Sequence, residues 1–232
     1  MFKCWRFYLF CMTAAFLLSA TDTLAATITV TNGNDYGPGS LRQAILNASS
    51  GDTINFAPNI TTVNLTTDEL VVDKNLTITG PFADRVTVQR STNSPPFRIF
   101  EITSSTAVVS ISRLTISNGS VVGGVGSDGD GGGIRNAGIL TLTDSTISAN
   151  QVVGTEFVGG NGGGVLNDRG TMTITRCTIS NNSAHYSTGS SGDCAGGSGG
   201  GIANYSGGSL TITNSTISGN SCISNDFFGL CG

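Results

Sequence analysis

The chain has 232 residues, with 11 Lys and Arg against 15 Asp and Glu, one histidine and 33 glycines. That acidic balance, a net charge of −4 without clustered basic residues, excludes a nucleic-acid partner, which demands cations to neutralise phosphates; a single histidine, His185, excludes a histidine-cluster metal site. Only 11% of the residues are charged, so Thr, Ser, Asn and Gly must carry the solvated surface.

Residues 1–26 read as a removable secretory signal peptide. Lys3 and Arg6 make a positive start, residues 7–18 are mostly apolar, and Thr23-Leu24-Ala25-Ala26 offers small residues for cleavage. The apolar stretch is too short to span a bilayer and no later segment is long enough, so no transmembrane segment is expected in the mature chain.

Residues 27–80 carry short alternating stretches at 27–31, 53–56, 70–72 and 76–79, and further ones follow at 86–89 and 99–102. Between the first two lies the one good helix signal. Ser40-Leu-Arg-Gln43 is a capping box, Leu41, Ala44, Ile45 and Ala48 share one face, and Gly51 can stop the helix. Such a short amphipathic helix is suited to cover the apolar end of a stack of strands.

Residues 81–232 are dominated by one phrase. It reads Leu140-Thr-Leu-Thr-Asp-Ser-Thr-Ile-Ser-Ala-Asn150, then Met172-Thr-Ile-Thr-Arg-Cys-Thr-Ile-Ser-Asn-Asn182, then Leu210-Thr-Ile-Thr-Asn-Ser-Thr-Ile-Ser-Gly-Asn220, with a looser copy at 109–119. A glycine triplet, an Ile or Val and an Asn precede each strict copy, ending at Asn136, Asn167 and Asn204. Repeats of this size mean a solenoid whose turns share a core only by stacking. Leu140 and Leu142 have one parity while Ser145 and Ile147 have the other, so the chain turns a corner near Asp144. Three short strands per turn are expected, all-β throughout apart from the N-terminal capping helix. Stacking then builds aliphatic columns (140/172/210, 142/174/212, 147/179/217) and two asparagine ladders (136/167/204 and 150/182/220). The corner column Arg113, Asp144, Arg176, Asn214 suggests a surface ion-pair ladder.

The segments 120–130, 151–161 and 183–198 leave the coil at one corner as glycine-rich inserts. Loops grouped on a rigid scaffold are the expected place for recognition. Asp128, Asp130, Phe157 and Tyr186 are the candidate ligand-binding residues, because aromatic rings with nearby carboxylates suit sugars. Val121-Val122 and Val152-Val153 align and read as packing residues, and His185 as a loop histidine without a role. Gly123-Gly-Val-Gly-Ser-Asp-Gly-Asp130 is a poor copy of a calcium-binding glycine nonapeptide; no cofactor is expected, and calcium at Asp128 and Asp130 is the only metal the sequence suggests. Cys194, Cys222 and Cys231 are disulfide candidates whose pairing stays open, while Cys177 falls in the inward column of Ser145 and Ser215 and reads as a buried thiol.

Three stretches, Gly37-Pro-Gly-Ser-Leu-Arg-Gln-Ala-Ile45, Gly51-Asp-Thr-Ile-Asn-Phe56 and Asp73-Lys-Asn-Leu-Thr-Ile-Thr-Gly80, resemble the start of bacterial secreted right-handed parallel β-helix proteins. The Gly-Gly-Gly-Ile and Ile-Ser-x-Asn phrases are similar to the repeats of polymorphic outer-membrane proteins, with Gly133 and Ile147 standing where those repeats usually have Ala and Phe. The resemblance implies a right-handed parallel β-helix, export to the bacterial outer membrane or the extracellular space, and surface adhesion. It also implies the fold of pectate lyases, which does not by itself carry their activity.

Catalysis on that fold needs carboxylates on an outer strand face. The outward positions of the repeated strand are Ser110 and Ser112, Thr141 and Thr143, Thr173 and Thr175, Thr211 and Thr213, none of which abstracts a proton unaided. The expectation is a non-catalytic secreted or cell-surface rod, adhesin-like or structural, with an extracellular polysaccharide or cell-surface ligand as partner. The alternative is a polysaccharide lyase or glycoside hydrolase acting on a uronate-type polysaccharide.

Overall fold

The structure is a computed structural model, and it describes residues 24–82, 85–123, 130–154, 160–186, 198–205 and 207–224. Twenty-two short strands lie in four sheets of seven, six, five and four strands, and all strand pairs in them are parallel. A regular coil visits the sheets in a fixed order. Ile134–Asn136 belongs to the five-stranded sheet, Ile139–Thr143 to the seven-stranded sheet, Thr146–Ser148 to the six-stranded sheet and Gln151–Gly154 to the four-stranded sheet. The next coil lies in register on this one, Leu140 pairing with Met172 and Ile147 with Ile179, at about 4.8 Å per rung. The chain is therefore a parallel β-helix.

The regular coil has four strands, not the three expected. The first residues of each insert do not leave the stack. Ser120–Val122, Gln151–Gly154, Ser183–Tyr186 and Ser221–Ser224 pair with one another as the four-stranded sheet. Val121 faces Val152 across this ladder, and Val152 is fully buried. His185 also lies on one of these strands, opposite Val153, rather than in a loop. These stretches open glycine-rich inserts, so in the sequence they read as the start of a loop rather than as strands. The strand Thr62–Leu65, pairing Val63 with Val88, was not among the stretches read from the sequence.

The corners explain the residues between the strands. Arg113, Asp144, Arg176 and Asn214 all have φ between 49° and 55°. This left-handed conformation turns the chain between the seven- and six-stranded sheets; Asn and Asp tolerate it, and the arginines hold it at a cost of about 1 kcal/mol or more. A second left-handed corner, at Asn118, Ala149, Asn181 and Gly219, precedes the four-stranded sheet. At the glycine triplets the first glycine is left-handed, with φ between 66° and 72°, and for the other two the constraint is space. A Cβ on Gly133 would meet the carbonyl oxygen of Gly164 at 2.6 Å and the Asn150 amide at 2.9 Å. That crowding is the physical reason for Gly at this position.

Inside, the aliphatic columns form one continuous cluster from Val30 to Ile179. Leu142, Ile174, Ile147 and Ile179 are fully buried, each worth about 1.5–3 kcal/mol relative to exposure. In the last described coil Ile212 and Ile217 are 37% and 50% exposed, because among the described residues no strand stacks upon them. Both asparagine ladders form. Asn136 Nδ2 donates to Asn167 Oδ1 at 2.8 Å and Asn167 Nδ2 to Asn204 Oδ1 at 2.7 Å; Asn150 and Asn182 continue the second ladder toward Asn220 at 3.0 and 2.9 Å. Cys177 is buried as a free thiol, and burial pushes its pKa up.

At the other end the helix spans Leu41–Asn47 with Ser40 as its N-cap. It ends at Ala48, in extended conformation, three residues before Gly51. Leu41, Ala44 and Ile45 join the central cluster, so the helix covers the first coils. Arg42 fastens it. Its guanidinium bonds the Asp35 carboxylate at 2.7 Å and donates to the carbonyls of Asp68 and Glu69. Burial pushes the Asp35 carboxyl up, but the N–H of Thr66, the hydroxyl of Thr67 and Arg42 outweigh it and hold the group below the usual range.

Candidate functional site

The outward positions named from the repeated phrase carry hydroxyls on the seven-stranded sheet, as expected; Asn55, Val108 and Ile139 also face outward there. The chemistry lies instead on the five-stranded sheet. Glu101 is the middle residue of Phe100–Ile102 and Arg135 the middle residue of Ile134–Asn136, and the parallel register sets them opposite each other. Arg135 Nη1 bonds Glu101 Oε1 at 2.8 Å, and its Nη2 bonds Asp168 Oδ2 at 2.9 Å on the following rung. Below them Arg98 Nη1 lies 3.0 Å from Glu101 and 3.5 Å from Glu69. Above, Arg169 bonds Asp168 at 3.2 Å. The result is a strip of alternating sign, Glu69, Arg98, Glu101, Arg135, Asp168, Arg169, running up the rod.

The strip is largely desolvated at its centre. The side chains of Arg98, Asp168 and Glu101 are 7%, 11% and 12% exposed, so their pairing is stronger than that of ordinary surface ions. At its lower end burial, together with the neighbouring Asp68, pushes the Glu69 carboxyl up to about 7 against the pull of Arg98. Glu69 is thus a carboxylic acid that exchanges its proton near neutral pH, beside a guanidinium. The helix fixes its backbone through Arg42, which holds the Glu69 carbonyl at 2.7 Å.

Sequence reasoning missed this strip because it examined the outward positions of the repeated phrase alone. A signal existed. Arg135 is the second residue after the glycine triplet, in the slot of Leu166 and Ala203, and Glu101 takes that slot one coil earlier.

Of the predicted site residues, Asp130 lies near enough to the strip to feel Arg135 and Arg98. Asp130 is described and Asp128 lies outside the described residues. Asp130 Oδ1 accepts from the backbone N–H of Asn161 at 2.7 Å and from its side-chain amide at 3.0 Å, which ties one coil to the next. Burial pushes its carboxyl up, and Asn161 with Arg135 and Arg98 opposes that. Phe157, Cys194 and Cys231 lie outside the described residues, and of Tyr186 only the backbone is described, paired with Gly154. Cys222 is exposed on its strand opposite Ala184. His185 Nε2 lies 3.0 Å from the Ser183 hydroxyl. Among the described residues no three His, Cys, Asp or Glu side chains gather as a metal ion would need, and no helix is long and apolar enough to cross a membrane.

The corner ladder forms only in part. Arg176 makes a two-point contact with Asp144 at 2.7 and 2.8 Å, which holds the Asp144 carboxyl below its usual range. Arg113 instead donates to the Gly80 carbonyl and the Thr79 hydroxyl and stacks over Phe82 at 4.0 Å.

Stacked parallel coils with shared aliphatic columns and polar ladders define the class of the parallel β-helix proteins. Residues 65–229 match the family described as the right-handed beta helix region, which is more than half of the chain; the protein belongs to that family. Comparison with curated proteins and with solved structures finds no match.

Proposed function

We propose that the protein is an exported, non-catalytic rod that acts in adhesion or as a structural element at a cell surface. Its ligand would be an extracellular polysaccharide or another cell-surface group. The observation that carries this reading is the four-stranded sheet. Its strands stack in register, and in sequence each of the first three is followed by one of the segments 124–129, 155–159 and 187–197, which lie outside the described residues. A stiff stack of strands from which the chain leaves at equivalent positions is a scaffold for recognition. The charged strip supports the same reading, because its carboxylates and guanidiniums are committed to one another at 2.8–3.5 Å.

A glycan array with the purified chain, run beside a lyase assay on uronate polymers with calcium, tests the proposal. Binding without release of unsaturated sugars is the expected result, and deletion of 155–159 should reduce the binding. Glu69 favours a second reading. A carboxyl that titrates near 7 beside Arg98 has the protonation behaviour of a general acid or base. Turnover abolished by Glu69→Gln would replace the first reading with this one.

A further inference from the structure

The outer face of the seven-stranded sheet does not enter the function proposed above. Its register gives two hydroxyl columns of outward side chains, beside a third at the strand starts, Val108, Ile139, Thr171 and Ser209, that is half apolar. One runs Thr53, Thr77, Ser110, Thr141, Thr173, Thr211. The other, from Thr29 to Thr213, departs from Thr or Ser only at Asn55. The columns form a two-dimensional lattice of about 4.8 Å between rungs and about 6.6 Å along each strand. None of the seven strands contains a charged residue, and their one aromatic side chain, Phe56, is buried.

A solenoid needs polar groups on this face but does not need these. The five-stranded sheet meets the same requirement with Glu101 and Arg135. The hydroxyl face is also held still. Threonine is stiff about χ1, the Ser112 hydroxyl donates to that of Thr79 at 2.9 Å, and those of Thr175 and Thr213 lie 3.1 Å apart. Each threonine presents a methyl beside a hydroxyl, so water over the face is confined by apolar groups and anchored by oxygens at regular intervals. Charges occur at the corner along one border, where Asp144 pairs with Arg176 and Arg113 donates to Thr79.

We infer that this face adsorbs to ice. The ligand must be neutral, rigid and periodic in two dimensions, with oxygen atoms that both donate and accept. Hexagonal ice has these properties, and its surface oxygen repeat lies close to the rung spacing of a parallel sheet. A polyanion would call for cations on the face, and a sugar chain for aromatic platforms; the strands supply neither.

The test is thermal hysteresis and inhibition of ice recrystallisation by the purified full chain. Wild-type protein should arrest crystal growth in a gap below the melting point and reshape the crystals. Thr173→Tyr, in the middle of the lattice, should cut the gap several-fold. Thr178→Tyr, a change of equal size on the six-stranded sheet, should leave it unchanged. Circular dichroism of both variants verifies the fold, and Thr141→Ser, which removes one methyl, replaces Thr173→Tyr if that variant unfolds. Folded wild-type protein without hysteresis or crystal shaping would overturn the inference. So would equal losses in the two tyrosine variants, or binding to crystalline cellulose without any effect on ice. The glycan-binding proposal stands or falls separately, because it rests on the opposite corner of the coil.

Discussion

The coils from Ile139 to Asn182 and those from Thr27 to Arg90 share one architecture but hold together differently. In the later coils every rung repeats the same devices: an aliphatic pair, a left-handed corner and two asparagines that bond to the rung above. The early coils have single contacts instead. Asp35 receives Arg42, Thr66 and Thr67, while Asp52 caps the backbone of Ala26 and Ser49. Repetition spreads stability over equivalent contacts, whereas the irregular end depends on a few buried polar groups.

Substitutions can break this comparison from either side. Ile179→Asp puts an unpaired charge in the shared column and should cost about 4 kcal/mol or more; loss of the β-type circular dichroism spectrum at room temperature is the expected reading. Asp35→Ala strands the Arg42 guanidinium and should cost about 3 kcal/mol, seen as a lower denaturant midpoint and as faster proteolysis at 41–47. Equal proteolysis of wild type and variant would show that the helix does not depend on this ion pair. Asn182→Ala interrupts one ladder and should cost about 2 kcal/mol, with the neighbouring rungs still protected in hydrogen exchange.

A smaller effect separates the charged strip from both regions. Burial raises the folded-state pKa of Glu69 from 4.5 to about 7, so the folded chain holds this proton where the unfolded chain has lost it. Its contribution to stability is full below about pH 4.5, declines as pH rises toward 7 and is constant above that. The slope is at most about 1.4 kcal/mol per pH unit. Glu69→Gln should flatten this part of the curve, so the difference between the two midpoints should vary across the window. A difference independent of pH would show that Glu69 titrates normally. Asp144→Asn should do least: its ion pair with Arg176 is solvated and should leave the denaturation midpoint within error.

Much of this was legible in the chain. The columns of Leu140, Leu142 and Ile147, both asparagine ladders, the inward Cys177 and the capping role of Leu41 and Ile45 follow from period and spacing, because a stacked turn must place like residues on like. The fourth sheet was not legible. Ser120–Val122 and its equivalents open glycine-rich inserts and so read as loop, and only pairing with the neighbouring coils makes them strands. The charged strip escaped for a different reason. Glu69, Arg98, Glu101, Arg135 and Asp168 come from four coils and from positions of different parity, so their approach depends on side chains reaching across rungs.

The sequence alone determined the parallel coil, its register and its inward columns, because a repeated apolar pattern has one way to bury itself by stacking. Only the tertiary structure decided that Asp130 would bind Asn161, that Arg113 would turn away from Asp144, and that Glu69 would be desolvated beside Arg98. Those outcomes depend on which groups compete for the same neighbour in space, and local pattern carries no record of that competition.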